Sequence, residues 1–164
     1  IYEGDETFNV ELSNPSSNAT IIKQKAVVTI DDDESKPELS ITDVTVHEND
    51  GNAVLTATLS GKMSKSVSFK VNTMDNTAKA GQDYNAIIDS LYTIPAKSTS
   101  VSITIPIIND DVSEPEESFS VLLSDVNEGI IISKSTAIVT IIDDEEIPSL
   151  TITDMVINEN VGVA

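Results

Sequence analysis

Cysteine, tryptophan and arginine are absent from this 164-residue chain. Without cysteine there is neither a disulfide framework nor a thiolate metal site. Without arginine there is no bidentate clamp for a phosphate or a ligand carboxylate. Aromatics make up only 4% of the residues, so nothing is suited to grip a sugar ring. A single histidine argues against zinc and copper centres. No apolar run approaches the roughly 18 residues that a membrane span needs. Positive charge is scarce: 9 basic residues, all lysine, stand against 28 acidic ones, for a net charge of −19. That balance excludes nucleic acid and anionic membrane surfaces as natural partners, since both demand positive charge. No nucleophile elbow, P-loop, H-E-x-x-H or EF-hand register is present. The carboxylates lie in polar segments, whereas a catalytic acid needs isolation from water, so the chain reads as non-enzymatic. Ile1 is not a start residue and no leader pattern follows it, so the sequence reads as a piece of a longer protein.

What the chain does have is alternation. Apolar residues recur at every second position in 39–46, 53–60, 67–73, 91–94, 101–108, 118–124 and 135–142, the period of half-buried strands. Pro106 lacks an N–H donor and implies a sheet edge or bulge at its strand. Seven short strands without a helical segment predict an all-β, antiparallel two-sheet sandwich.

It also repeats itself. A shift of 111 residues lays the N-terminal part over the C-terminal part without a gap. Glu3, Glu6 and Phe8 fall on Glu114, Glu117 and Phe119. Ala26-Val27-Val28-Thr29-Ile30 falls on Ala137-Ile138-Val139-Thr140-Ile141. Asp32-Asp33-Glu34 falls on Asp143-Asp144-Glu145, and Glu48-Asn49 on Glu159-Asn160. A period of that length is a domain, not a solenoid unit. The expected organisation is therefore the tail of one module (1–36), a complete module (37–147) and the head of a third (148–164), in a tandem array.

Strand order alone then sorts the charges. If successive strands run antiparallel, the chain leaves the first, third, fifth and seventh at one pole. Those exits carry Glu48 and Asp50, Asp75 and Asp83, Asp110 to Glu117, and Asp143 to Glu146. The opposite pole carries Lys62, Lys65, Lys97 and Lys134, which are expected to complement carboxylates across a joint with a neighbouring module. Crowded carboxylates repel unless a cation neutralises them, and hard oxygen donors suit Ca²⁺. At this level an ion site and a solvated acidic turn both stay open. His47 is expected to be an exposed strand end, and Tyr84 and Phe119 to be core anchors beside the acidic loops.

The segment Asp75-Asn76-Thr77-Ala78-Lys79-Ala80-Gly81-Gln82-Asp83-Tyr84 resembles the D-G-T-A-x-A-G-x-D-Y signature of Calx-beta domains. Its spacing to Ile108-Asn109-Asp110-Asp111, to Glu114-Pro115-Glu116-Glu117-Ser118-Phe119 and to Val139-Thr140-Ile141-Ile142-Asp143-Asp144 is similar to that family too. The resemblance implies an immunoglobulin-like sandwich with Ca²⁺ at the loop pole. By position it puts the ligands on Glu48, Asp83, Asp110, Asp111, Glu114, Glu117, Asp143 and Asp144. Asn76 stands where the family has Gly, a place where a positive φ is tolerated. Asn109 replaces an Asp, and Ile142 stands where the N-terminal copy has Asp31.

The resulting expectation is a calcium-rigidified repeat of an extracellular or cell-surface protein, a spacer or adhesive stalk. Its partners would be neighbouring repeats and an unidentified protein or glycan, without membrane insertion of this segment. The alternatives are a calcium-sensing regulatory module of a membrane transporter and a non-catalytic repeat attached to a secreted enzyme.

Overall fold

Alternation becomes burial in the strand Asn52–Leu59, where Ala53, Leu55, Ala57 and Leu59 are buried and their neighbours face outward. That is the pattern of a strand with one face on a core. The computed structural model describes residues 1–156. In chain order its strands are β1 (Glu6–Glu11), β2 (Lys25–Ile30), β3 (Glu38–Ile41), β4 (Val44–His47), β5 (Asn52–Leu59), β6 (Val67–Asp75), β7 (Ser90–Ile94), β8 (Ser100–Pro106), β9 (Glu117–Ser124), β10 (Ile131–Lys134) and β11 (Thr136–Ile142). A 3-10 turn, Glu48–Asp50, is the one helical element among the described residues.

Two sheets make the sandwich. One runs β10-β3-β5-β8, the other β4-β11-β9-β6-β7. Leu39, Ile41, Leu55 and Ile103 face Phe69, Val71, Phe119 and Val139 across a single buried cluster. Each such side chain contributes about 1.5–3 kcal/mol by leaving water. The all-β immunoglobulin-like architecture is as expected, and β8, which ends on Pro106, is an edge strand as its proline requires.

Two strands depart from the expectation. The run 39–46 is split at Thr42-Asp43 into β3 and β4, which belong to different sheets. β3 pairs parallel with β10 and β4 parallel with β11. Asp43 fixes the crossover, because its Oδ1 accepts from Lys134 Nζ at 2.9 Å and from the Ile138 N–H at 3.0 Å. The expected strand 135–142 likewise has a separate partner before it, β10, in the other sheet. Direction is preserved through both switches, so the acidic exits still gather at one pole.

β1 and β2 form their own two-stranded sheet. Glu6 pairs with Ile30 and Phe8 with Val28. Adding 111 to each gives Glu117–Ile141 and Phe119–Val139, which pair in β9–β11. Phe8, Val10 and Leu12 are 50%, 44% and 56% exposed on this hairpin. The hairpin meets the sandwich at Tyr2, whose N–H donates to the Lys62 carbonyl and whose carbonyl accepts from the Ser64 N–H, both at 3.0 Å. Residues 148–156 leave β11 as exposed irregular chain. Glu159 and Asn160 of the repeat lie outside the described residues.

Two of the four lysines of the far pole have local partners: Lys65 lies 3.4 Å from Glu128 and Lys134 2.9 Å from Asp43. No helix among the described residues is long and apolar enough to cross a membrane.

Candidate metal centre

The site is assembled from four chain segments at the exit pole. Glu48 opens the 3-10 turn after β4 and is 6% exposed. Its Oε1 accepts the Asp110 N–H at 3.1 Å, which joins the turn to the segment after β8. Asp83 closes the crossover between β6 and β7, and its Oδ2 accepts the Lys79 N–H at 2.5 Å. Glu117 begins β9, and Asp143 follows β11 directly. Asp110 folds its loop on itself, Oδ1 accepting the Val112 N–H at 2.6 Å. Ser113 Oγ donates to Asp143 Oδ2 at 3.4 Å.

Two carboxylate trios result. Glu48, Asp143 and Glu145 each place an oxygen within 4.8 Å of the others, as do Asp83, Glu114 and Glu117. Five of these six line one cleft with Pro115 and Ile141; Glu145 is the exception. The cleft has a volume of about 10 Å³, the order of space taken by one water.

Like charges at this spacing resist ionisation. Desolvation first, then the charges of Asp110, Glu114 and Asp143, raise the pKa of Glu48, which the Asp110 N–H partly offsets. Desolvation and then Asp83 raise Glu114. Glu117 is raised by desolvation and by the Asp83 carboxyl beside it. Glu145 is pushed up to about 7 by desolvation and by the neighbouring Asp143 carboxyl. Asp143 Oδ1 and Glu145 Oε2 are buried without a hydrogen-bond donor. Either a proton lies between these two groups or a cation does. The donor set is all oxygen, which fits a hard divalent ion and not a soft one.

Of the eight residues inferred from sequence, Glu48, Asp83, Glu114, Glu117 and Asp143 converge, and Asp110 bonds into their edge. Asp111 is exposed and outside both trios, and Asp144 is exposed and accepts from Asn49 Nδ2 at 2.7 Å. Glu145 was not among them. The repeat held its signal, because Glu145 overlays Glu34, which forms a trio with Asp32 and Asp33 in the N-terminal copy. There Asp32 has three backbone N–H donors, from Glu3, Gly4 and Glu34, which lower it to about 2. Asp143, at the same place in the repeat, has only Ser113 Oγ among the described residues. Asn76 is not at positive φ. Its amide pairs with Ser120 Oγ at 3.0 Å, a role that glycine cannot fill. His47 is an exposed strand end, as expected.

A family model of the Calx-beta domain matches this chain twice, over residues 1–34 and 31–145. The chain belongs to the Calx-beta family. Among curated proteins, this Calx-beta chain is 33% identical over 121 residues to the sodium/calcium exchanger Calx of Drosophila melanogaster, covering 72% of the chain and 13% of that protein. It is 30% identical over 127 residues to extracellular matrix protein 3 of Lytechinus variegatus, covering 74% of the chain and 4% of that protein. It thus spans a small fraction of the curated relatives it matches. Among solved structures, the calcium binding domain CBD12 of CALX1.1 superposes with a TM-score of 0.60 at 30% identity, over 65% of this chain and 46% of that one.

The extracellular or cell-surface location inferred from sequence is overturned by the exchanger relatives. Those matches are to sodium/calcium exchangers, the transporter class that the sequence alone leaves only as an alternative. That location rested on the tandem repeat taken with the family resemblance, and a repeat of whole domains does not fix a compartment.

Proposed function

We propose that this Calx-beta chain is a calcium-binding module and that it serves as a calcium-sensing regulatory module of a membrane transporter of the exchanger kind. The observation that supports it best is the pair of carboxylate trios, held by four segments, with two buried oxygens lacking a donor. Glu48, Asp83, Asp110, Glu114, Glu117 and Asp143 would hold the ion, with Glu145 added and Asp111 and Asp144 at the margin. Ca²⁺ takes six to eight oxygens, more than Mg²⁺ accepts from protein. Bound there, it cancels the repulsion between carboxylates and ties the turn after β4, both loops and the end of β11 into one body. No catalytic step is part of this reading.

Binding to the folded chain alone stabilises it by about 1.4 kcal/mol when calcium is tenfold above Kd. Thermal melting with chelator, Ca²⁺ and Mg²⁺ tests the proposal. Ca²⁺ should raise Tm more than Mg²⁺ does, and a melting curve that chelator leaves unchanged would sink it.

A second reading, a calcium-stiffened spacer repeat, is favoured by the 111-residue repeat and the recurrence of its hairpin register. Calcium titration with scattering separates the two. Micromolar, cooperative binding with a change of shape favours the sensor; millimolar binding without one favours the spacer.

A further inference from the structure

The crossover that carries Asp83 is closed on its own stem by a residue outside both carboxylate trios. Asp75 ends β6, opposite Phe119 on β9. Its Oδ1 accepts from the Tyr84 hydroxyl at 2.7 Å and from the Ala80 N–H at 3.0 Å. Tyr84 is 1% exposed, so its hydroxyl has no access to bulk water. The Gly81 N–H donates to the Tyr84 carbonyl at 2.8 Å, and the Asp83 carbonyl accepts the Ile108 N–H at 2.9 Å. Asp83 is therefore held between a residue fixed by Asp75 and a strand end fixed to the sandwich. One of its oxygens accepts the Lys79 N–H, and its carboxylate places an oxygen within 4.8 Å of Glu114 and Glu117.

We propose that Asp75 is a positioning residue for the ion site: through Tyr84 and Ala80 it sets where Asp83 presents its carboxylate. This rests on the calcium reading above. Asp75 touches no member of either trio by any hydrogen bond among the described residues, so it acts through the loop and not as a ligand. Remove its oxygen and a buried hydroxyl loses its acceptor while the arch from Lys79 to Tyr84 loses its tie. The residues that lead into the arch have separate anchors, the Ala78 N–H on the Ser118 carbonyl at 2.9 Å and the Ser118 N–H on Thr77 Oγ1 at 2.7 Å. The change is thus confined to the residues around Asp83.

Calorimetric Ca²⁺ titration of the 164-residue chain and its variants is the test, with amide exchange at Ala78 and Ser118 confirming that each variant is folded. Asp75→Ala and Tyr84→Phe should each weaken calcium about tenfold, the size of one hydrogen bond. The double variant should weaken it no further than Asp75→Ala does. Asp75→Asn keeps an acceptor oxygen in place and should restore binding to within about threefold of the unaltered chain, a small fraction of one hydrogen bond. Wild-type affinity in Asp75→Ala overturns the inference. So does an Asp75→Asn as weak as Asp75→Ala, because Asp75 would then act through its charge. An unaltered chain that gives no heat with calcium removes the calcium reading itself, and this inference with it.

Discussion

Tyr84 and Phe119 lie face to face, with ring centroids 3.8 Å apart and planes 7° from parallel. Both rings are fully buried, the core-anchor role that sequence assigned to them. Each is tied to a site carboxylate, since Asp83 directly precedes Tyr84 and Glu117 lies two residues before Phe119. The stack sets how far the crossover stands from β9, and so how close those two carboxylates come. Phe119→Ala should lower stability by about 3–5 kcal/mol, the cost of a buried aromatic and its cavity. Urea unfolding in chelator measures this. A loss near zero would mean that the stack does not support the pole.

Stability in chelator should depend on pH with a definite sign. Glu145 rises from 4.5 to about 7 on folding. Between those values the folded chain keeps a proton that the unfolded chain has released. Stability therefore falls as pH climbs through that window and levels off above about 7. Asp32, Asp43 and Asp75 are shifted downward, and their contribution is lost only in acid below the window. Calcium must displace the Glu145 proton, so affinity strengthens over the same climb. Melting temperatures at pH 5 and pH 8, with and without Ca²⁺, test both halves.

Glu48→Gln should separate folding from ion binding. The amide keeps an acceptor for the Asp110 N–H but removes a desolvated charge that faces Asp110, Glu114 and Asp143. In chelator the variant should be more stable, by up to about 1 kcal/mol. Its calcium affinity should fall tenfold or more, a loss of about 1.4 kcal/mol or greater. Asp111→Asn, at an exposed position outside both trios, should change affinity far less. Equal losses for the two would contradict the geometry of the cleft.

The contact between the hairpin and the sandwich is testable by hydrogen exchange. The Ser64 amide donates to the Tyr2 carbonyl and should exchange slowly. Tyr2→Pro removes the N–H that reaches Lys62 and should speed exchange at Ser64. Exchange at the free-peptide rate in the unaltered chain would show that the bridge does not persist.

Most of the sandwich and the acidic pole were legible before any coordinates. Strand alternation reports which residues face a core, and strand order alone carries the acidic exits to one end. Alternation says nothing, however, about which sheet a strand joins. The switch at Thr42-Asp43 depends on Asp43 meeting Lys134 and the Ile138 N–H, which lie more than 90 residues away. Glu145 was hidden for a related reason. Its character comes from desolvation against Asp143, a property of the packed loop and not of its neighbours in sequence. Asn76 had a local rationale, tolerance of positive φ, and a non-local bond to Ser120 took its place.

The parallel rungs between β4 and β11 have a mechanical meaning. The chain enters the sandwich at β3, far from the acidic pole, and leaves it at that pole from β11. A pull on the two ends therefore slides β4 against β11 along their common direction. Four residue pairs, from Val44–Val139 to His47–Ile142, take that load together. A ladder sheared this way gives up all its rungs at once, whereas one peeled from an end gives them up singly. The split of one expected strand into two is what puts a sheared ladder, rather than a peeled one, between the two ends.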